Sequence, residues 1–457
     1  MSAPELSEAA GATAGAKGDG PAVSAPTNSA YGYYVVGVLM VAYMFSFIDR
    51  TLLSLVIDPI REDLGLSETQ ISLLAGFAFA AFYTLLGLPF GRWVDTRGRR
   101  NLIAVGIALW SLATVFCGLA NSFWRLFAAR MAVGVGEATL SPAAYSIIPD
   151  YFTPQRLGFA MGLYSCGVTL GGGVAMLIGG VVVQWATTAQ PVLPFVGQVS
   201  AWKVPFLVVG FPGLLVALLV LLTVKEPPRR LERGGAASVA PKVSEVVAYL
   251  WAHRRVFAPL FAGFSGIVIT GYAFNVWGPA YFMRVHAFQP AQVGLLYGVG
   301  FGVFGTLGVL AGGALSDRVA KGGKHDAPLR VSIWSAVVQA PLFIGAYLAP
   351  SATVAAGLFI VALFFGSVYG GLQAAAIQAL TPNRMRGQVA ALYLTIANMI
   401  GLGLAPTWTA WMTENVFGGP QDVGKSLAMT TVISLSVGVL LLALALKPAH
   451  RQIEELL

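Results

Sequence analysis

YYVVGVLMVAYMFSFIDRTLL, residues 33–53, decides the class of this protein. Residues 33–48 carry no charge, yet Asp49 and Arg50 follow side by side inside the same apolar run. A charge near the centre of a bilayer costs about 2.5–3.5 kcal/mol on insertion scales. The pair therefore has to face protein or water, and the run around it has to be a membrane helix.

Composition agrees. The 457-residue chain is 56% hydrophobic and 11% charged, with a mean hydropathy of +0.74, whereas soluble domains are about a quarter charged. Runs of roughly 20 apolar residues, each able to cross a ~30 Å hydrocarbon core as a helix, recur along the chain. They number twelve, taken below as helices 1 to 12: 33–57, 69–91, 101–120, 124–149, 157–185, 203–224, 256–283, 290–315, 328–349, 352–380, 387–413 and 425–446. The fold class expected is an all-α integral membrane protein of two six-helix bundles, 33–224 and 256–447.

The rest of the chain is polar. Residues 1–32 are rich in Ala, Gly and Pro and have neither a basic n-region nor an apolar h-region, which predicts a disordered tail rather than a signal peptide. Residues 225–255, with their Pro, Gly and basic residues, read as a surface linker whose VSEVVAYLWA portion suits a short helix on the membrane surface. Residues 448–457 read as a second tail. If both termini are cytoplasmic, loops on that side hold 21 of the 28 Lys and Arg, a positive-inside bias that accounts for the +8 net charge without nucleic acid. The source compartment predicted is a cell membrane, of the bacterial inner-membrane type. Cys117 and Cys166 lie in apolar runs without metal or redox spacing, and the four His are scattered, so no metal or cofactor is expected. GFGVFG at 300–305 matches G-x-G-x-x-G by letter, but it sits inside helix 8 with no strand before it and does not read as a nucleotide site. No P-loop is present to couple transport to ATP, and nothing points to an enzyme.

The two halves repeat. SETQISLLAG (67–76) and QPAQVGLLYG (289–298) align Gln70 with Gln292 and Gly76 with Gly298 at an offset of 222, and the same offset carries Gly91 and Asp95 onto Gly313 and Asp317. FTPQRLGFAMGLY (152–164) is echoed by LTPNRMRGQVAALY (380–393). Parallel repeats of this kind are a transporter architecture.

The buried charges sit in the first half only. Adjacent residues on a helix point ~100° apart, so Asp49 and Arg50 need separate partners. Helix 4 supplies them: Arg130 and Glu137 are seven residues, about two turns or ~10.5 Å, apart on one face. Helix 1 runs away from the terminal side and helix 4 returns, so Asp49 and Arg130 are expected at similar depth. Two acids and two bases in a membrane can hold a carboxylate ionised in one conformation and release it to bind a proton in another. Asp49 is the first choice for proton coupling, Glu137 the competitor, and Arg50 and Arg130 the charge network. A fixed salt-bridge cluster that merely packs helices is the bland alternative. The second half offers neutral groups instead, including Tyr272, Asn275, Tyr369 and Gln373, a wall suited to an amphipathic molecule.

GRWVDTRGRR at 91–100, with Gly91, Asp95, Gly98, Arg99 and Arg100, resembles the signature loop of the major facilitator superfamily. Thr96 stands where a base is usual, and Arg97 follows it. The likeness extends over about residues 33–447. FSFIDRTLLSLVIDPI (45–60), RMAVGVGEATLSPAAYSIIPDYF (130–152) and NVWGPAYFMR (275–284) are similar to the spinster family within that superfamily. The resemblance implies alternating access about a central cavity lined by helices 1 and 4. It also implies an inner gate closed by Gly91, Asp95, Arg97, Arg99 and Arg100 with the degenerate copy Asp317 and Arg318, and lysolipid or sphingoid-like substrates. The function expected is a proton-coupled carrier of an amphipathic organic anion, acting as a monomer among membrane lipids. A carrier of soluble organic anions, or a lipid sensor or passive scramblase on the same fold, are the alternatives.

Overall fold

The computed structural model describes residues 29–96, 98–189, 192–193, 197–227, 243–382 and 385–456; the predicted tail up to residue 28 and much of the predicted linker lie outside them. Eleven helices among the described residues are long and apolar enough to cross a membrane: Ala30–Leu55, Glu68–Gly87, Arg99–Leu119, Phe159–Ala189, Lys203–Thr223, Arg254–His286, Pro290–Lys321, Ala327–Leu348, Ala352–Ala379, Arg386–Phe417 and Pro420–Glu455. The twelfth, helix 4, is broken into Phe123–Glu137 and Leu140–Ile147. Its break follows from Pro142, which has no amide to give the Ala138 carbonyl four residues back, while two glycines set how closely the first piece packs. A Cβ on Gly134 would press on the Phe79 carbonyl of helix 2 at 2.6 Å, and one on Gly136 would press on the Trp110 amide of helix 3 at 2.7 Å. Close approach on both sides leaves Glu137 buried at the end of the first piece.

The all-α class holds, with two details to add at the edges. Helix 12 does not end in a tail at 447 but runs on to Leu456. Between helices 5 and 6 an antiparallel pair, Val192–Leu193 with Gly197–Gln198, interrupts the all-helical pattern.

The internal repeat has a physical content. Helices 2 and 8 each begin with a capping box, Ser67 with Gln70 and Gln289 with Gln292, so the matched glutamines do the same work in each half. Helix pairs recur as well: 1 with 5, 2 with 4, 3 with 4 and 3 with 6 in the first half become 7 with 11, 8 with 10, 9 with 10 and 9 with 12 in the second. The halves meet through 1 and 7, 2 and 11, and 5 and 8. The matched Gly76 and Gly298 both lie in these seams, Gly76 against the Leu402 carbonyl of helix 11 and Gly298 against Leu177 and the Gly173 carbonyl of helix 5. Small residues let the backbones approach. Within GGG at 171–173, Gly171 faces Met44 of helix 1 and Gly173 faces Gly298 and Gly302 of helix 8, while Gly172 has open space. GFGVFG is a widened π-helical turn at Gly300–Gly305 packed against helices 5 and 10, not a phosphate loop.

The seams predict an ordered set of losses. Gly76→Ala drives a Cβ into a backbone carbonyl that has no rotamer to change, so it should lower the unfolding free energy by about 1–3 kcal/mol. Gly298→Ala meets first a side chain that can shift, Leu177 at its Cγ and Cδ2, and should cost less. Gly172→Ala should be neutral. Thermal melts of the purified protein in detergent test the ranking.

Candidate functional site

Helix 1 hands its two charges to different neighbours. Asp49 turns toward helix 3, where the Thr114 hydroxyl donates to Oδ2; Oδ1 is buried with no hydrogen-bond partner. Arg130 reaches Asp49 through the backbone, its Nη1 donating to the Asp49 carbonyl at 3.4 Å and its Nε to the Leu74 carbonyl at 3.4 Å. Leu74 belongs to a π-helical turn in helix 2, Leu73–Phe77. Arg50 turns the other way. Its Nε donates to Glu137 Oε2 at 2.6 Å, and the Ser46 hydroxyl donates to the same oxygen at 2.6 Å. Glu137 Oε1, also buried, has no partner.

The structure brings Arg130 to the Asp49 backbone and the Arg50 side chain to Glu137. What differs is access. Arg130 is 1% exposed, so it stands inside the first bundle rather than at a surface where a substrate headgroup could meet it, and Asp49 is equally enclosed. The Arg50 side chain is 15% exposed while that of Glu137 is fully covered. Aromatic faces surround the Arg50 guanidinium at 5.0 Å (Phe47), 4.7 Å (Phe79) and 4.5 Å (Tyr83). Phe79 also lies 5.6 Å from Arg130, on whose charge it bears as well. Of the four charges, Arg50 is the one that combines an ion pair with an accessible edge.

The second half faces it with neutral groups. Tyr272 of helix 7 lies within electrostatic range of Arg50 and Tyr83, and its hydroxyl donates to Asn398 Oδ1 at 3.3 Å. Tyr369 of helix 10 neighbours Tyr272. Gln373 accepts from the Tyr393 hydroxyl at 2.8 Å. Asn275 is half-buried. Tyr272, Tyr369 and Tyr393 thus gather on one side of the second bundle, whereas Gln373 is engaged within it.

At the end bearing the termini, the surroundings of Gly91, the side chain of Asp95 and the whole of Arg97 lie outside the described residues. Arg99 is described, and its partners are in its own half: Asp150 at 2.5 Å, Glu226 at 2.8 Å, and the carbonyls of Ser146 at 2.9 Å and Pro227 at 2.8 Å. It therefore ties the start of helix 3 to the ends of helices 4 and 6 in this conformation, rather than bridging the halves. Arg100 bonds with Asn101 at 3.1 Å, and its amide donates to Glu226 at 2.8 Å. Burial by itself would raise the Glu226 carboxyl, but the Arg100 amide and the Arg99 guanidinium outweigh it and hold the group below its usual range. Asp317 and Arg318 are exposed.

At the opposite end the halves are latched together. Arg284, at the end of helix 7, donates to Asp58 at 2.6 Å and contacts Glu68 at 2.9 Å. Glu414 of helix 11 accepts from the Glu68 amide and from the Thr69 hydroxyl, each at 2.5 Å, so a carboxylate from the second half sits at the N-terminus of helix 2 in the first, where the helix dipole favours it. Gln184 of helix 5 accepts from the Ala291 amide of helix 8 at 3.2 Å. Sequence reasoning missed this latch. The acidic stretch DPIREDLGLSE, and the arginine that ends NVWGPAYFMR, were the available signals.

The model of the Major Facilitator Superfamily matches residues 39–406. A solved structure described as a bacterial homologue of the human lysosomal transporter Spinster, in an inward-facing and unoccupied conformation, is 29% identical, covers 93% of this chain and 98% of its own, and superposes with a TM-score of 0.78. An MFS-type efflux pump of Mycolicibacterium smegmatis is 27% identical over 92% of this chain and 94% of its own. The hexuronate transporter of Bacillus subtilis is 25% identical over 86% of this chain and 92% of its own. The chain is thus a non-enzymatic membrane transporter related both to spinster proteins and to carriers of organic anions.

Two outcomes follow from the ends of the molecule. Arg284→Gln removes charge-assisted bonds worth about 1.5–3 kcal/mol each and should shift the population toward opening at the latch by tenfold or more. Glu414→Gln keeps an acceptor and should shift it less. Spin labels on Glu62→Cys and Gln421→Cys would show the longer distance gain weight. At the terminal end, Glu226 is held below its ordinary pKa, so its contribution is present above the unfolded value and lost as pH falls through the folded one. Amide exchange at residues 224–226 should stay slow until the pH falls below the ordinary glutamate range.

Proposed function

We propose that this chain, which belongs to the Major Facilitator Superfamily, is a proton-coupled secondary transporter that moves an amphipathic organic anion by alternating access. The observation that carries the reading is the Arg50–Glu137 pair: a fully covered carboxylate whose cation is itself partly exposed. A guanidinium has five N–H donors, and Glu137 engages one nitrogen. An anionic group arriving from the space between the halves can therefore compete for Arg50. A carboxylate left in apolar surroundings without its cation binds a proton rather than remain charged. Substrate and proton are thereby linked at Glu137, with Asp49, whose Oδ1 lacks a partner, as the second acid. That ordering reverses the one drawn from sequence, because Asp49 points away from the accessible edge.

Chemical asymmetry supports an amphipathic cargo. One wall offers a charge ringed by Phe47, Phe79 and Tyr83, and the other offers Tyr272 and Tyr369. Lysolipid or sphingoid-like substrates suit this; a soluble sugar acid, as the hexuronate relative's name suggests, is the second reading. The distribution of Lys and Arg supports cytoplasmic termini. The latch at the far end would then close the outer side, with Asp95, Arg97, Asp317 and Arg318 available to close the inner one.

Proteoliposome transport tests the reading. Glu137→Gln should retain counterflow exchange of a bound lysophospholipid but lose accumulation driven by a pH gradient, one unit of which supplies about 1.4 kcal/mol per proton, or roughly tenfold. Arg50→Lys should lose most transport, because the planar fork is gone. Preserved pH-driven accumulation in both Glu137→Gln and Asp49→Asn would reduce the cluster to a packing device. Exchange of hexuronate but not lysolipid would select the second reading, and dissipation without accumulation would point to a scramblase or sensor.

A further inference from the structure

The short helix Val243–Ala252 precedes helix 7 and has two unlike faces. One is docked. Val246 is 2% exposed, and the Tyr249 hydroxyl donates to the Leu380 carbonyl at 3.0 Å and accepts from Gln452 at 2.9 Å, joining this helix to helices 10 and 12. The other face is bare. Val243, Val247 and Trp251 are 66%, 51% and 70% exposed, and their spacing of four residues lines them into one stripe.

What covers that stripe follows from where the helix is tethered. Helix 7 starts at Arg254 and turns apolar at Val256, so Trp251 cannot be more than a turn or so from the hydrocarbon boundary. Arg254 and Arg255 are exposed there. The Arg254 guanidinium lies 5.4 Å from the Trp251 ring and donates to the Trp251 carbonyl at 3.1 Å. Tryptophan with arginine is the side-chain pairing of the headgroup layer. Glu245, the acid of this helix, is two residues from Val243 and so off the stripe. An apolar stripe ending in two cations complements an acyl boundary topped by phosphates, and covalent attachment to a spanning helix makes a ten-residue contact effective where a free peptide of that length would not bind.

We infer that the Val243–Ala252 helix is a lipid-binding surface: Val243, Val247 and Trp251 enter the bilayer interface on the side of the termini, and Arg254 and Arg255 hold anionic phospholipid headgroups. Because its other face grips Leu380 and Gln452, the lipid surface and the second bundle are attached to one rigid element.

The full chain, carrying Cys166→Ala so that buried Cys117 is the sole native thiol, is labelled with a nitroxide at Val247→Cys and reconstituted in phosphatidylcholine vesicles with or without phosphatidylglycerol. Labels at Leu222→Cys and Glu454→Cys provide the lipid-facing and water-facing references; Leu222 is 72% exposed on helix 6. Collision with oxygen relative to a nickel chelate should be several-fold higher at 247 than at 454 and close to that at 222. Phosphatidylglycerol should raise the ratio, and Arg254→Gln with Arg255→Gln should abolish that rise, each arginine near an anionic surface strengthening the attraction roughly fivefold. A ratio at 247 equal to that at 454, or a label shielded from both reagents by protein, overturns the lipid assignment. An unchanged ratio on adding phosphatidylglycerol overturns the anionic-headgroup assignment.

Discussion

A guanidinium and a carboxylate 2.6 Å apart, in a chain built to exclude water, impose the organisation of the first bundle. Burying two ions costs more than a well-packed apolar pair would, so such a pair is weak evidence of stability and strong evidence of a task. Keeping it demands the Ser46 hydroxyl on Glu137, aromatic faces around Arg50, and two glycines that bring the backbone of helix 4 against helices 2 and 3. Arg130 and Asp49 form the next layer without a direct side-chain hydrogen bond: Arg130 donates to the Asp49 backbone carbonyl, and the Thr114 hydroxyl donates to the Asp49 carboxylate.

The repeat shows what was inherited by both halves and what was not. Capping boxes at Gln70 and Gln292 and the glycine seams at Gly76 and Gly298 serve the same ends twice, because helix starts and close crossings are needed in each bundle. The four central charges, Asp49, Arg50, Arg130 and Glu137, all belong to the first half, whereas Tyr272, Tyr369 and Tyr393 of the second are phenolic. Symmetric scaffolding with unsymmetric chemistry gives a polar group and an apolar tail different walls to lean on.

Much of this was legible in sequence. Helix number follows from the length of apolar runs, and the partners of helix 1 follow from a seven-residue spacing in helix 4. Other features were hidden for definite reasons. Which face of helix 1 is accessible depends on the rotation of the whole helix within its bundle, and sequence periodicity is weak when every face is apolar; Asp49 was therefore ranked above Glu137 with no sign that it faces away from the accessible edge. The latch joins residues 216 to 346 positions apart, and its charges looked like ordinary loop polarity. Helix 12 was ended at its last apolar residue, whereas Ala449 and Ile453 continue its buried stripe past Lys447.

The latch and the charge pair share a mechanical element. Helix 1 carries Arg50 in one stretch, Ala30–Leu55, and continues almost at once into Ile57–Leu64, which carries Asp58. Glu68 and Thr69, the groups that Glu414 grips, begin helix 2, whose Phe79 and Tyr83 flank Arg50 further along. Both helices that hold the guanidinium thus end in the residues that hold the halves together. A rotation of either helix large enough to separate Arg50 from Glu137 has to move Asp58 or Glu68 against Arg284, since packed helices shift as units rather than bend at each residue. Loss of the ion pair at the centre and release of the latch at the end are in this geometry two readings of one displacement.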